Sequence, residues 1–190
     1  TRLATDRLGF AGGRVLPAAG PWRTSGEWWG KAWNRDEWDV ALADGAEMWS
    51  AEQPIPRLTL RGASTPVVAR ELAISGFDNG RVLAVNLADG TAVWDSPVSP
   101  SHGRTELERL NDIDAPVKVV GEEVFVAGFQ GRAAMLALDS GQIWWTRDLS
   151  SYRGVDVDDE QMYVSTSEGE LVALKRRSGV EVWRNDLLKR

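Results

Sequence analysis

Residues 131–145 read GRAAMLALDSGQIWW, with Gly131 and Gly141 ten positions apart and Trp145 four positions beyond the second glycine. The same two spacings return in GRVLAVNLADGTAVW, through Gly80, Gly90 and Trp94, and in GELVALKRRSGVEVW, through Gly169, Gly179 and Trp183. Only the second half survives in ADGAEMW, which ends at Trp49. Successive tryptophans are 38 to 51 residues apart, and self-similarity at such a period is the mark of a repeat architecture. A residue that recurs in every unit is a structural residue before it is anything else.

Short apolar runs fill the units. Residues 65–69, 72–77, 81–86 and 91–95 are strand-like, and the turns between them fall at Arg70-Glu71, Asp78-Asn79-Gly80 and Ala88-Asp89-Gly90. Asn-Gly and Asp-Gly suit tight hairpins because their residues tolerate positive φ. A second set occupies 115–120, 123–128, 133–138 and 143–147, and a third runs from 154 to 185. No helical period survives anywhere in residues 58–185.

Four-stranded antiparallel units at this spacing predict an all-β chain of propeller blades, in units of about 58–95, 115–148 and 154–186, with a defective first unit making about four. A blade must bury both faces against its neighbours. Small residues in the third strand (Ala84, Ala133, Ala134, Ala173) permit close sheet approach, and the tryptophan of the fourth covers a large apolar area between blades. An open arc exposes two apolar end faces, which predicts a larger propeller or pairing with another copy.

Residues 1–42 form an atypical first region. Trp22, Trp28, Trp29, Trp33 and Trp38 crowd into it, and Arg35, Glu37 and Asp39 stand where later units have apolar residues. The apolar spacing supports no assigned structure, and the expectation is an altered first unit ahead of regular blades in 43–190.

The composition narrows the function. The chain has 190 residues, 43% of them hydrophobic, a net charge of -6 and no cysteine. The acidic balance argues against nucleic acid and anionic lipid, which require clustered Lys and Arg. Lys175-Arg176-Arg177 is short and reads as a solvated hairpin tip. No window approaches the roughly 18 apolar residues of a membrane-spanning helix, and the opening TRLATDRLGF has neither the basic nor the apolar region of a signal peptide. Without cysteine there is no disulfide, thiolate nucleophile or lipid-bearing thiol.

The polar clusters carry little chemistry by themselves. His102, the only histidine, lies in a Pro- and Ser-rich link with no activated nucleophile or orienting acid evident. Asp156, Asp158, Asp159 and Glu160 lack the ligand spacing of a calcium loop and read as a polar hairpin turn. Asp112 and Asp114, in RLNDIDAP, point to opposite sides of an extended chain and make a poor acid–base pair. Arg61, in PRLTLRG, follows Leu58 and Leu60 on alternate positions. Both links read as surface loops.

The Gly–Gly–Trp repeat resembles the PQQ-type propeller repeat. The links PRLTLRGASTPVV and GRTELERLNDIDAPV, with GFDNGRVLAV, are similar to those of the outer-membrane protein assembly factor BamB family, over about residues 43–190. That resemblance implies an eight-bladed propeller of which this chain holds about half, and a lipoprotein on the periplasmic face of the outer membrane. It further implies a non-enzymatic scaffold with no cofactor, which binds the POTRA domains of BamA. The family's partner-contacting positions fall here on Leu58, Leu60 and Arg61 and on Asp112 and Asp114. Two leucines on one side of an extended loop supply an apolar anchor, while the arginine and the two aspartates offer charge-assisted hydrogen bonds. Two alternatives stay open. One is a quinoprotein dehydrogenase using PQQ and calcium, which shares the repeat; the other is a propeller that binds a different protein.

Overall fold

Alternation of branched apolar residues with turn glycines gives a chain of antiparallel sheets. The computed structural model describes residues 19–26, 33–39, 49, 52–54, 64–99, 112–113 and 115–187. Among them are fifteen strands in four sheets.

The second sheet contains β4 (Val67–Ala69), β5 (Leu72–Gly76), β6 (Arg81–Asn86) and β7 (Ala92–Pro97), hydrogen-bonded in that order. The third repeats the arrangement with β8 (Lys118–Val120), β9 (Glu123–Ala127), β10 (Ala133–Ala137) and β11 (Ile143–Arg147). The fourth does so with β12 (Val155–Val157), β13 (Gln161–Ser165), β14 (Leu171–Lys175) and β15 (Glu181–Asn185). All neighbouring pairs are antiparallel, as expected of up-and-down blades. Gly90, Gly141 and Gly179 have φ of 71°, 66° and 62°, which explains the invariable glycine of the last hairpin.

The first sheet departs from expectation. The apolar spacing of residues 1–42 supports no assigned structure, yet β1 (Ala19–Gly26) and β2 (Trp33–Asp39) pair as an antiparallel hairpin, and β3 (Glu52–Pro54) joins β2. The charged residues that interrupt the apolar alternation here do not prevent backbone pairing, which is blind to side-chain polarity.

Sheets are joined through their faces. One core cluster lies between the second and third sheets and includes Ile74, Val82, Ala84 and Trp94 with Val124, Val126, Ala134 and Leu136, every one of them buried. A second lies between the third and fourth, where Phe125, Ala133, Met135 and Trp145 meet Met162, Val164, Val172 and Leu174. Ala84, Ala133, Ala134 and Ala173 are wholly buried, in keeping with close sheet approach.

The tryptophans make the same contact three times. Trp49 donates its indole N–H to the Leu87 carbonyl at 2.8 Å, Trp94 to Leu138 at 2.8 Å, and Trp145 to Arg176 at 2.9 Å. Each acceptor lies three residues before the glycine of the next sheet's last hairpin. A Cβ placed on Gly90, Gly141 or Gly179 would stand 2.5 Å from the six-membered ring of Trp49, Trp94 or Trp145 respectively. The glycine is thus required twice, for its positive φ and for the ring lying flat on its Cα. Burying an indole removes about 150–250 Å² from water, on the order of 5 kcal/mol of transfer free energy per tryptophan.

A β-bulge aims each ring. Ala84 pairs with Trp94 but Val85 with Ala92, leaving Val93 extra; the same slip leaves Trp144 and Val182 extra beside Trp145 and Trp183. The extra residues face solvent, with Trp144 59% exposed, so neighbouring tryptophans in one strand have opposite fates.

Candidate interface at the link end of the blades

Antiparallel order sorts the connections between two ends of each sheet. The amide of Leu87 donates to the Glu71 carbonyl at 2.9 Å, which places the first and last hairpins of the second sheet at one end. The middle hairpin and the described ends of the links between sheets occupy the other end. There the amide of Ile113 donates to the Phe77 carbonyl at 3.2 Å.

The described ends of the first two links converge on one spot. Ser64, the last described part of the link that follows PRLTLRG, is buried against the end of β5. Its amide donates to the Gly76 carbonyl at 2.9 Å, and its Oγ accepts the Gly76 amide at 2.8 Å. The Ser75 hydroxyl donates to the Ser64 carbonyl at 2.8 Å and lies 2.9 Å from the Ser64 hydroxyl. Ile113, in the second link, crosses over the same Gly76. A Cβ on Gly76 would collide with Ile113 Cγ2 and stand 2.7 Å from the Ile113 carbonyl oxygen. Glycine at 76 lets two links share one seat.

The second link also straps two sheets together. While Ile113 holds Phe77 of the second sheet, the Asp112 carbonyl accepts the amide of Phe129, in the third sheet's middle hairpin, at 2.7 Å. Ile113 itself is fully buried and joins the core between those sheets. The third link copies the strap one sheet on. Ser151 donates its amide to the Gly128 carbonyl at 3.0 Å, the Ser150 carbonyl accepts the Ser167 amide at 2.8 Å, and the Ser150 hydroxyl accepts the Gln130 amide at 2.9 Å.

Among the sequence-derived site residues, Asp112 is in place beside Phe129 and Ile113, and Leu58, Leu60, Arg61 and Asp114 lie outside the described residues, as does His102. The expectation of a surface loop needs correction at Asp112, which has no exposed surface. Its neighbour Ile113 drags the chain into the inter-sheet core, and the Asp112 backbone is fixed to Phe129. Asp112 is therefore built into the strap beneath the rim, not displayed on it.

Toward the opposite end of the blades, two carboxyls and a phenol have shifted titrations, each with a local structural cause. Hydrogen bonds from the Tyr163 hydroxyl (2.7 Å) and from the amides of Gln161 and Glu160 hold the Asp158 carboxyl below its ordinary value. The same bond raises the Tyr163 phenol. The Lys118 ammonium, 2.8 Å away, is the main cause of the lowered value of Asp156, with the Val157 amide contributing. Asp158 thus closes the polar turn expected of this segment. Among the described residues, no three His, Asp or Glu side chains gather as a metal site.

Arg176 is the residue that sequence reading missed. Expected as part of a solvated tip, its side chain is only 16% exposed and spans two sheets. Its Nε pairs with Glu123 at 2.5 Å, its Nη2 donates to the Val120 carbonyl at 3.3 Å, and its guanidinium lies 5.7 Å from the Phe125 ring centre. The unit spacing, which puts Arg176 at the tryptophan-accepting position, was the available signal.

Comparison with known proteins agrees with this architecture. A family profile described as outer membrane protein assembly factor BamB matches residues 32–185. The chain is 39% identical over 139 residues to the assembly factor BamB of Pseudomonas aeruginosa, covering 73% of this chain and 37% of that protein. It is 41% identical over 149 residues to that of Yersinia pestis, covering 78% and 38%. The chain thus spans little more than a third of the length of these curated relatives. The crystal structure of BamB from Moraxella catarrhalis superposes with a TM-score of 0.72 at 25% identity, over 82% of this chain and 50% of that one. With its blades, repeat and links all in that pattern, the chain belongs to the family of the outer membrane protein assembly factor BamB.

Proposed function

We propose that this chain acts as a non-enzymatic scaffold in outer-membrane protein assembly, at the periplasmic face of the outer membrane, and that it binds the POTRA domains of BamA through its first two links. The supporting observation is the convergence on Gly76. The end of the first link, at Ser64, is hydrogen-bonded to Gly76, and the second link, at Ile113, to the adjacent Phe77 while packing over Gly76, at one end of the second sheet. Leu58, Leu60 and Arg61 precede Ser64 by a few residues, and Asp114 follows Ile113 directly, so the two sequence motifs start from a common anchorage.

In this reading the apolar and charged parts have separate tasks. Leu58 and Leu60 supply buried contact area, and Arg61 with Asp114 supplies charge-assisted hydrogen bonds that fix the partner's orientation. Asp112 acts from beneath, holding the second link against Phe129. Rigid anchorage lowers the ordering cost on binding, which gives weakly charged loops a usable affinity.

The test is co-purification of the chain with the BamA POTRA domains. The double variant Leu60→Ala, Arg61→Ala should lose the POTRA domains while keeping the circular dichroism of the parent. Undiminished binding by that folded variant rejects the interface.

A further inference from the structure

The third link follows the second in register. In the second, the Asp112 carbonyl accepts the Phe129 amide and the Ile113 amide donates to the Phe77 carbonyl; in the third, the Ser150 carbonyl accepts the Ser167 amide and the Ser151 amide donates to the Gly128 carbonyl. Phe77 and Gly128 each stand three positions before the glycine of their middle hairpin, Gly80 or Gly131. The residue that leaves the strap is Asp114 in the second link and Tyr152 in the third. Tyr152 therefore holds, one sheet on, the position that Asp114 holds in the docking motif.

The two links also meet. A Cβ on Gly154, in the third link, would stand 3.1 Å from the Ala115 Cβ, in the second. Phe129, whose amide is fixed by Asp112, meets Tyr152 edge-on, with ring centres 6.4 Å apart and planes at 62°. Phe129 thus bridges the second link to the third.

The side chains at this junction are suited to contact. Phe129 and Tyr152 are half-buried, with part of each residue open to solvent, and Arg153 is exposed. The Arg153 guanidinium lies 5.6 Å from the Tyr152 ring centre, and among the described residues no carboxylate pairs with it. Arg132 and Arg176, by contrast, have Asp148 and Glu123. The backbone beneath is fixed. Gln130 is held at a φ of 48° with its amide on the Ser150 hydroxyl, and the Ser151 hydroxyl accepts the Arg153 amide at 3.3 Å. A non-glycine residue at positive φ persists only where its surroundings over-determine it. Side chains carried on such a backbone lose little freedom on binding, and Tyr and Arg are enriched among the residues that dominate protein interfaces.

We propose that Phe129, Tyr152 and Arg153 extend the docking surface onto the third link: the POTRA domain that engages the first two links also seats an apolar patch on the two rings and a carboxylate on Arg153. The extension rests on the POTRA reading of the first two links and adds a contact that PRLTLRG and RLNDID do not contain. In a chain of net charge -6, a cation at this place fixes the orientation of an acidic partner group.

Calorimetric titration of the BamA POTRA domains into the 190-residue chain tests it. Tyr152→Ala and Arg153→Glu should each raise the dissociation constant at least about tenfold while keeping the parent's midpoint in urea, and Tyr152→Phe should stay within about twofold of the parent. Because Arg153 is exposed, Arg153→Glu decides the matter if Tyr152→Ala shifts that midpoint. Added salt should weaken the parent more steeply than Arg153→Gln, a difference that a merely structural role would not produce. Binding that Tyr152→Ala and Arg153→Glu leave unchanged, but that Leu60→Ala with Arg61→Ala abolishes, overturns the extension and leaves the first two links as the interface. A parent that does not bind the POTRA domains overturns both.

Discussion

The indole of Trp145 donates to the backbone carbonyl of Arg176 at 2.9 Å, and the side chain of Arg176 returns to the sheet from which Trp145 came. Each sheet grips the other at that position: the third sends an aromatic ring forward, and the fourth sends a guanidinium back to Glu123 and Val120. The repeat consequently fixes the spacing between blades as well as the fold of each one.

The tryptophan seat should be intolerant of small changes on either side. In Gly141→Ala the new methyl must displace the Trp94 ring and hold φ near 66°, so the left-handed conformation and the overpacking together should cost about 2–5 kcal/mol. Trp94→Phe should cost about 1–3 kcal/mol by leaving the buried Leu138 carbonyl without its donor. Urea unfolding measures both, and a neutral Gly141→Ala would refute the seat.

Burial should separate two arginines that sequence cannot tell apart. Arg176→Ala leaves Glu123, 17% exposed, without its partner and should destabilise the chain by about 2 kcal/mol. Arg132→Ala breaks a pair whose Asp148 is 89% exposed and should change stability by no more than about 0.5 kcal/mol. Equal effects in denaturant titrations would contradict the inter-sheet role of Arg176.

The Asp158–Tyr163 bond should be visible at both extremes of pH. Asp158 titrates below its ordinary 3.8 when folded, so its contribution is present above that value and is lost as pH falls through the lowered pKa. Tyr163 titrates above its ordinary 10.0, so its contribution is present below that value and is lost as pH rises through the raised pKa. Tyr163→Phe should move the Asp158 carboxyl titration, followed by carbon NMR, back toward the ordinary value. An unmoved titration would assign the shift to the two amides alone.

Gly76 should couple fold and docking. Gly76→Ala pushes Ile113 from its seat, displacing the second link while β5 and β6 remain paired elsewhere. POTRA affinity should fall by about tenfold, or 1.4 kcal/mol, in a calorimetric titration of a variant that still melts cooperatively. Retained affinity would show that the position of the second link is unimportant for binding.

The blades were legible because their signals are local. Glycine at positive φ, a tryptophan at fixed distance and branched residues in short runs mark Gly90–Trp94 and its repeats without reference to anything distant. The bulge was not legible: GQIWW does not say which of Trp144 and Trp145 is buried, since that depends on a one-residue slip against Met135 and Leu136. Asp112 and Arg176 were misjudged for a related reason. Charge suggests solvent, but the burial of Asp112 follows from Ile113 entering a core built by two other sheets, and that of Arg176 from Glu123, 53 residues away. The hairpin of β1 and β2 was missed because its strands lack apolar alternation. Of the candidate interface, sequence supplied the motifs; the meeting of Ser64 and Ile113 over Gly76 needed the fold.

Hydrogen exchange on the chain with and without the BamA POTRA domains tests the central claim most directly, because it reports where a partner sits. The account predicts slowed exchange in residues 57–64 and 110–117, with Phe77 and Phe129, and no change at the opposite end, in the hairpins around Gly90, Gly141 and Gly179. Protection confined to those hairpins, or none at saturating POTRA, would contradict it.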